Sequence, residues 1–295
     1  MRSGGAILSK ICFIVELDSF WQWDDGLRGA IQILEGDNKV CYHLSGRPNP
    51  DCRPDFLFVW GGTLSGPFKA AKHFDAHKIL FFAGGGIERE YFEKYDMVLF
   101  ENEFHTNTAR TMGIRCMTAF GTNTKVFKPI KNNKIFDAFY PGAFGLWKRK
   151  DLFAKAVKGL KAFSCGNIQE HEPECWDVCV ENGVSVAGDI PQNRLPYFMS
   201  MSKTIVVLPV PEIGCQRTVL EAQAMNLPVI VPNDAPLVME FAKHGGIIVD
   251  PDPASIRYAI QTAPETNEDG YQYVLNNMTE VHYAKKIRSA MEAIL

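Results

Sequence analysis

Residues 209–233 read PVPEIGCQRTVLEAQAMNLPVIVPN, and this stretch decides the fold. It predicts the end of a strand, a loop that contains a glycine, a helix, and then an apolar strand that begins at a proline. Glycine lets the backbone approach a ligand, and the free amides of a helix start suit a pyrophosphate. Thr218 is of a type that caps or starts helices, and Glu221, one turn further on, is placed to accept hydrogen bonds from ribose hydroxyls.

The same alternation of short apolar runs and helical segments extends in both directions along the chain. Strands are predicted at residues 11–15, 56–59, 79–82, 97–100, 136–140, 184–187, 204–210, 228–231 and 247–249. Helices are predicted between them, for example at residues 26–34 and 88–95. Continuous apolar strands of this length are typical of parallel sheets that are buried on both faces, so the pattern predicts an α/β fold.

Two polar or amphipathic segments suggest how the chain is divided. Residues 121–134, GTNTKVFKPIKNNK, break the apolar periodicity and are predicted to be a linker. Residues 271–295 are predicted to be helical and to pack back on the first half, with Ile287, Met291 and Leu295 on one stripe.

Length and composition exclude several classes of protein. The chain has 295 residues, 46% of them hydrophobic, a formal net charge of −3 and a pI near 6.2, which excludes a disordered tail and a global polycation. No apolar run reaches the roughly 18 residues that span a bilayer. The eight cysteines show no dense, repeated spacing. We therefore expect a reduced, cytoplasmic protein.

With these motifs in their order, the chain resembles the retaining GT-B glycosyltransferases of the family 4 type. The segment around Gly214, Glu221 and residues 227–230 (LPVI) is similar to that family's donor-site helix and the strand after it. Four further segments resemble family signatures in the same order: 121–124 with 127–129, 188–190, 207–209, and 249–253. The resemblance covers residues 98–295, and the first ~95 residues agree only in their general βα layout.

The resemblance implies a GT-B fold, in which two Rossmann-like parallel-sheet domains face each other across a cleft. We place an acceptor-side domain at residues 1–129 and a donor domain at residues 130–278. Residues 279–295 would form a helix that crosses back to the first domain.

The resemblance also implies a set of donor-site residues. Glu212 matches the family's first glutamate with a shift of one position, and is expected to contact the donor sugar, or else to be an ordinary solvated loop glutamate. Ala143 occupies the place of the family's arginine, so Lys148 and Arg217 are expected to neutralise the diphosphate, although Arg217 is equally well explained as an ordinary surface residue. The remaining donor-binding candidates in this half are Gly142, Gly214, Cys215, Gln216, Thr218, Val219 and Glu221.

Two segments of the first half are candidate ligand loops because of the residue types that they contain. Gly84 and Gly85 lie in a run of three glycines before a predicted helix, which suits a close backbone approach to a ligand or a tight turn. The residues Asp18, Trp21 and Trp23 combine carboxylate and aromatic groups, which suits a sugar acceptor, or else packing of the aromatics within the protein.

No metal site or cofactor is expected. Asp250 and Asp252 are interpreted as a strand exit and a helix cap, and GT-B enzymes generally need no metal. His171, Glu172, Glu174, Cys175 and Cys179 resemble a zinc site in composition, but Cys175 and Cys179 are better explained as one buried helix face.

Basic residues are concentrated between positions 125 and 161. This band would attract a nucleotide diphosphate, a membrane surface or a polyanionic acceptor, or would simply be solvated. We expect the nucleotide explanation for Lys148 only.

The sequence therefore predicts a glycosyltransferase that uses a nucleoside diphosphate sugar, most simply a UDP- or GDP-sugar, as its donor. The acceptor is an unassigned hydroxyl of a glycan, lipid, protein or modified nucleic-acid base. The alternatives are an inactive GT-B-like binding or regulatory subunit and a nucleotide-sugar epimerase.

Overall fold

The computed structural model describes residues 9–15, 26–44, 51–62, 65–83, 89–168, 172–214 and 216–295. The chain divides into two compact units, one made of Met1–Gly121 with Glu280–Leu295 and the other of Thr122–Thr279. The division falls at Gly121 and Thr122, several residues before the Pro129 boundary that the sequence suggested. Much of the predicted linker belongs to the second unit, where Phe127 is fully buried.

The first unit contains a six-stranded parallel sheet. Its strands are β1 (Lys10–Val15), β2 (Lys39–Leu44), β3 (Phe56–Trp60), β4 (His77–Phe82), β5 (Met97–Phe100) and β6 (Cys116–Thr118). They are ordered β2-β1-β3-β4-β5-β6. The core lies on β1, β3, β4 and β5, where the side chains of Ile11, Phe58, Leu80 and Val98 have no solvent exposure.

The described helices of the first unit are α1 (Gly26–Glu35), α2 (Gly66–Ala70), α3 (Arg89–Phe92) and α4 (Glu103–Thr111), with a 3₁₀ turn at Ala71–His73. The chain's last helix, Glu280–Ile294, also belongs to this unit and packs along α1. Its Tyr283 side chain is buried against the rings of Phe81 and Phe120.

The second unit contains another six-stranded parallel sheet. Its strands are β7 (Phe136–Pro141), β8 (Ala162–Cys165), β9 (Ser185–Ala187), β10 (Ser202–Val206), β11 (Val229–Pro232) and β12 (Ile247–Val249), ordered β12-β11-β10-β7-β8-β9. The helices are α5 (Lys150–Ala156), α6 (Glu174–Glu181), α7 (Leu195–Ser200), α8 (Gln216–Ala224), α9 (Pro236–Ala242), α10 (Pro253–Thr262) and α11 (Glu268–Asn277), with a 3₁₀ turn at Leu146–Lys148. The helix Glu280–Ile294 is α12.

The two sheets confirm the predicted α/β class and two Rossmann-like parallel sheets. Three details of the sequence prediction are wrong. Strands β2, β6 and β8 were not predicted, the strand predicted at 204–210 ends at Val206, and the helix predicted from 271 onward is two helices separated at Met278 and Thr279. Asp252 caps α10, as predicted, because its carboxylate accepts hydrogen bonds from the backbone amides of Ala254 and Ser255.

Candidate functional site

The strand order of the second unit points to a candidate ligand site at the carboxyl ends of β7 and β10. From β7 the chain continues to β8 on one side, and from β10 it continues to β11 on the other side. The loops that leave the carboxyl ends of β7 and β10 therefore diverge, and ligands of open parallel sheets bind in the crevice that forms there. The described residues of these loops are 142–149 and 207–214.

The loop after β7 begins at Gly142, which sits closely against its neighbours. Gly142 has a φ of +128°, a conformation that favours glycine. Its amide donates to the carbonyl of Cys165 at 2.9 Å. A Cβ atom at Gly142 would lie 3.6 Å from Cε and 3.7 Å from Nζ of Lys148. The ammonium group of Lys148 therefore lies beside the backbone at the end of β7.

Gly166, just after the neighbouring strand β8, packs against the turn of Gly142. It follows β8 and has a φ of +142°. A Cβ atom at Gly166 would stand 2.1 Å from the carbonyl oxygen of Gly142. Only glycine fits this contact, so the backbone turns after β7 and β8 pack directly on each other. Burial raises the pKa of Cys165, the residue before this turn, to about 12, with a smaller opposing effect of Lys150, so its thiol stays neutral.

The two residues after Lys148 bind partners within the second unit. Arg149 makes a two-pronged ion pair with Asp234, with both N–O distances 2.9 Å. Lys150 is fully buried and donates to the carbonyl of Tyr140 at 2.9 Å and to Ser164 Oγ at 2.7 Å. The three adjacent basic residues thus have different environments, and Lys150 is part of the core rather than of a solvated basic band.

The hydroxyl group of Tyr140 holds the two diverging loops side by side. Tyr140 is fully buried at the end of β7. Its hydroxyl donates to the carbonyl of Lys148 and accepts from the amide of Leu208, the latter at 3.0 Å. The amide of Val210 also donates to the carbonyl of Trp147 at 3.0 Å. These bonds bring the loop that carries Lys148 next to the loop that leads to Glu212 and Gly214.

The second loop carries Glu212 and leads into α8. Glu212 is exposed in a turn that closes through the bond from the amide of Ile213 to the carbonyl of Val210, 3.1 Å. Gly214 follows, and α8 begins at Gln216. Arg217 and Thr218 are half-buried in its first turn, and Val219 is fully buried. The nine-residue helix α8 thus follows a loop that is bonded to the loop of Lys148, and the free amides of a helix start favour an anion.

Glu221 differs from Glu212 because it is buried. Its exposure is 2%, and its Oε1 accepts from Nε2 of Gln192 at 2.7 Å. A buried carboxylate needs hydrogen-bond donors, and Gln192 supplies one of them. Gln192 was not predicted from the sequence, since a glutamine before a helix carries no distinctive signal.

Several predicted site residues lie outside the described part of the chain. These are Cys215, Gly84, Gly85, Asp18, Trp21 and Trp23, so their roles stay predictions. Among the candidates that are described, the structure brings together Gly142, Lys148 and the loop of Glu212 and Gly214. The residues that organise this arrangement, Tyr140 and Gly166, were missed. Gly166 directly follows residues 162–165 (AFSC), which were not predicted to be a strand.

Cys175 and Cys179 lie on one face of α6, as predicted, and both are buried in the core of the second unit. Glu172 accepts from the amide of Leu146 at 2.6 Å, so it fixes the loop after β7. His171 lies outside the described residues. Within the described ranges, no helix is long and apolar enough to span a membrane.

Comparison with known proteins finds a family match within the second unit. Residues 139–266 match the family model described as "Glycosyl transferases group 1". The match begins in β7 and includes both loops of the candidate site. No curated protein sequence matches the chain.

Solved structures share the fold over almost the whole chain. Sucrose-phosphate synthase from Thermosynechococcus elongatus has a TM-score of 0.73 at 13% identity, with 97% of this chain and 99% of that chain covered. A glycosyltransferase from Rickettsia africae has a TM-score of 0.70 at 15% identity, with 97% and 98% covered. HepE from Anabaena, solved in complex with UDP and glucose, has a TM-score of 0.70 at 12% identity, with 97% and 100% covered. The protein therefore has the GT-B fold of these enzymes.

Proposed function

Because residues 139–266 match the glycosyl transferases group 1 model, we propose that the protein transfers a sugar from a nucleoside diphosphate sugar to a hydroxyl acceptor, with retention of configuration. The observation that carries this proposal is the position of the Lys148 ammonium beside Gly142. The loop of Lys148 is hydrogen-bonded to the loop that leads into α8. A UDP-sugar is the first donor to test, because HepE was solved with UDP-glucose. A GDP-sugar is the second.

The main catalytic requirement is to stabilise the leaving group. As the bond between the anomeric carbon and the diphosphate oxygen breaks, negative charge develops on the diphosphate. In our proposal Lys148 and the first-turn amides of α8 neutralise this charge, with Arg217 in the role of the arginine that Ala143 replaces. Charge-assisted hydrogen bonds of this type are about twice as strong as neutral ones.

The two glutamates would bind the sugar and the ribose. Glu212 is exposed in the loop before α8, which suits contact with donor-sugar hydroxyls. Glu221 is oriented by Gln192 and would accept from ribose hydroxyls, which would supply further donors to its buried carboxylate. On the first unit, Gly84 and Gly85 remain candidates for donor contact, and Asp18, Trp21 and Trp23 for acceptor contact.

A donor screen with the full chain tests the proposal. Thermal shift and calorimetry with UDP-, GDP- and ADP-sugars should reveal one donor that binds, and added Mg²⁺ or Mn²⁺ should leave its turnover unchanged. NMR of the product should show the anomeric configuration of the donor. If none of these donors binds, the proposed function is wrong.

The position of Ala143 favours one alternative, a protein that binds the nucleotide without turnover. Donor binding without hydrolysis or transfer, unaffected by Glu212→Ala, would support this alternative. Formation of an epimerised nucleotide sugar without an acceptor would instead indicate an epimerase.

A further inference from the structure

Four potential metal ligands meet in the first unit. They are Cys12 on β1, Cys41 and His43 on β2, and Cys52 just before β3. Their ligand atoms all lie within 4.8 Å of one another. Cys12 and Cys41 are register partners on adjacent parallel strands, and Cys41 and His43 are two residues apart on β2, so the three side chains share one face of the sheet.

The distances fit the edges of a tetrahedron. With zinc–sulfur bonds of about 2.3 Å, tetrahedral ligand atoms stand about 3.8 Å apart. Cys41 Sγ lies 3.7 Å from Cys52 Sγ and 3.8 Å from His43 Nε2. Cys12 Sγ lies 3.4 Å from His43 Nε2 and 2.8 Å from Cys52 Sγ. Reduction of the Cys12–Cys41 bond, with a rotation of the Cys12 side chain that moves its sulfur away from those of Cys41 and Cys52, would complete the tetrahedral arrangement.

A disulfide alone does not account for this cluster. The structure joins Cys12 and Cys41 by a disulfide, whereas the sequence led us to expect reduced cysteines. This bond uses two of the three sulfurs and leaves the buried Cys52 thiol and the His43 imidazole against it. A metal ion would use all four groups, and three thiolates with one imidazole are a common donor set of structural zinc.

The surroundings suit a closed structural site rather than a catalytic one. Cys12 is fully buried and Cys52 is 8% exposed, in an apolar cluster that also contains Phe74. The ring of His43 packs against that of Phe74, with the centroids 5.4 Å apart. Four protein ligands leave no open coordination position, and an apolar wall limits the access of water.

We propose that Cys12, Cys41, His43 and Cys52 bind one Zn²⁺ ion with the cysteines reduced. Binding converts the three thiols to thiolates and releases their protons to the solvent. The Cys12–Cys41 disulfide of the structure must first be reduced, with two electrons from a thiol reductant. The ion would fasten the edge strand β2 and the segment before β3 to β1. This role does not depend on the proposed transferase activity.

Metal analysis of the purified full chain is the first test. We expect about one zinc per chain in the wild type, and less than about a tenth of that in Cys52→Ser. Cys116→Ser is the matched control, since this free cysteine lies in the same unit outside the cluster, and it should keep its zinc.

A second measurement uses only the wild type, in case Cys52→Ser does not fold. The chain, freed of metal and kept reduced, should bind Co²⁺ with the intense visible absorption of a tetrahedral thiolate complex. This absorption should saturate at one equivalent and disappear on addition of Zn²⁺. Alkylation of the denatured, unreduced protein in the presence of a chelator should label all eight cysteines. A reduced chain that binds neither ion, or the labelling of only six cysteines, would overturn the proposal.

Discussion

For single residues, the sequence singled out Lys148 within the basic segment, but it could not show what Arg149 and Lys150 contact. Lys148, Arg149 and Lys150 are adjacent, and only their neighbours in space separate them. Arg149 pairs with Asp234, and Lys150 bonds to Tyr140 and Ser164. These partners lie 10 to 85 positions away in sequence, so no local pattern reveals them.

Lys150 should contribute to stability. Lys150→Ala removes two hydrogen bonds in the core and leaves a cavity, and we expect a loss of about 2–4 kcal/mol in the free energy of unfolding. Lys158→Ala, at an exposed position near the end of the same segment, should change it by less than about 0.5 kcal/mol. Urea denaturation measures both variants, and equal stabilities would contradict the role given to Lys150.

His105 should make the first unit sensitive to acid. Burial lowers the pKa of His105. Its Nδ1 lies 3.2 Å from the side-chain amide nitrogen of Asn102. This nitrogen can only donate, so Nδ1 must be the unprotonated acceptor. At pH values between the lowered pKa and the ordinary value near 6.5, His105 therefore binds a proton more readily in the unfolded chain than in the folded one. The contribution of neutral His105 to the free energy of unfolding should be fully present above pH 6.5, and it should be lost as the pH falls from 6.5 through the lowered pKa.

Hydrogen exchange of peptides from α4 at pH 5.5 and pH 7.5 measures this effect. His105→Gln should reduce the difference between the two conditions, because glutamine does not titrate. A pH dependence that is unchanged in His105→Gln would show that another group is responsible.

At the scale of elements, the sequence predicted the strands that are long and uniformly apolar. It missed β2, whose residues KVCYHL alternate in polarity because this strand lies at the edge of its sheet. It missed β6 and β8, whose residues CMT and AFSC are not continuous runs of large apolar side chains. The strand predicted at 204–210 ends early because the amide of Val210 bonds to the loop of Trp147 instead of to a neighbouring strand.

The contact between the turns after β7 and β8 gives a test at this scale. Gly166→Ala would force a Cβ atom against the carbonyl of Gly142 and displace the backbone beside Lys148. Gly183→Ala is the matched control, since its φ is also positive, at +79°, but no described atom lies within 4 Å of the added Cβ. We expect the control to lose about 1–2 kcal/mol from backbone strain. Gly166→Ala should lose more and should also bind UDP more weakly.

Denaturation and calorimetry separate the two effects. If both glycine variants lose the same stability and bind UDP equally, the turn of Gly166 does not shape the candidate site.

At the scale of the whole molecule, the sequence predicted two α/β units and a returning final helix, and it placed the division several residues late. The motif around Phe127 looks like a linker because it is polar and contains a proline, yet Phe127 is buried within the second unit. Which residues of a polar segment pack on a core depends on long-range contacts. The cluster of Cys12, Cys41, His43 and Cys52 escaped prediction for the same reason, since its members are separated by up to 40 positions.

The final helix should stabilise the first unit. Tyr283→Ala removes a buried ring from between Phe81 and Phe120, and we expect the first unit to lose about 3–5 kcal/mol. Tyr258→Ala is the control, because this tyrosine is 70% exposed. Hydrogen exchange of peptides from β4 reports the change, and protection equal to the wild type would contradict this role of the helix.

The central claim is that the second unit binds the diphosphate of a nucleotide at Lys148. Calorimetric titration of UDP into the wild type, Lys148→Ala and the control Lys158→Ala tests it most directly. The loss of a charge-assisted contact of about 1.5–3 kcal/mol should weaken the affinity of Lys148→Ala by about 10- to 100-fold, while the control stays within about twofold. UDP binding to Lys148→Ala with the affinity of the wild type would contradict the claim.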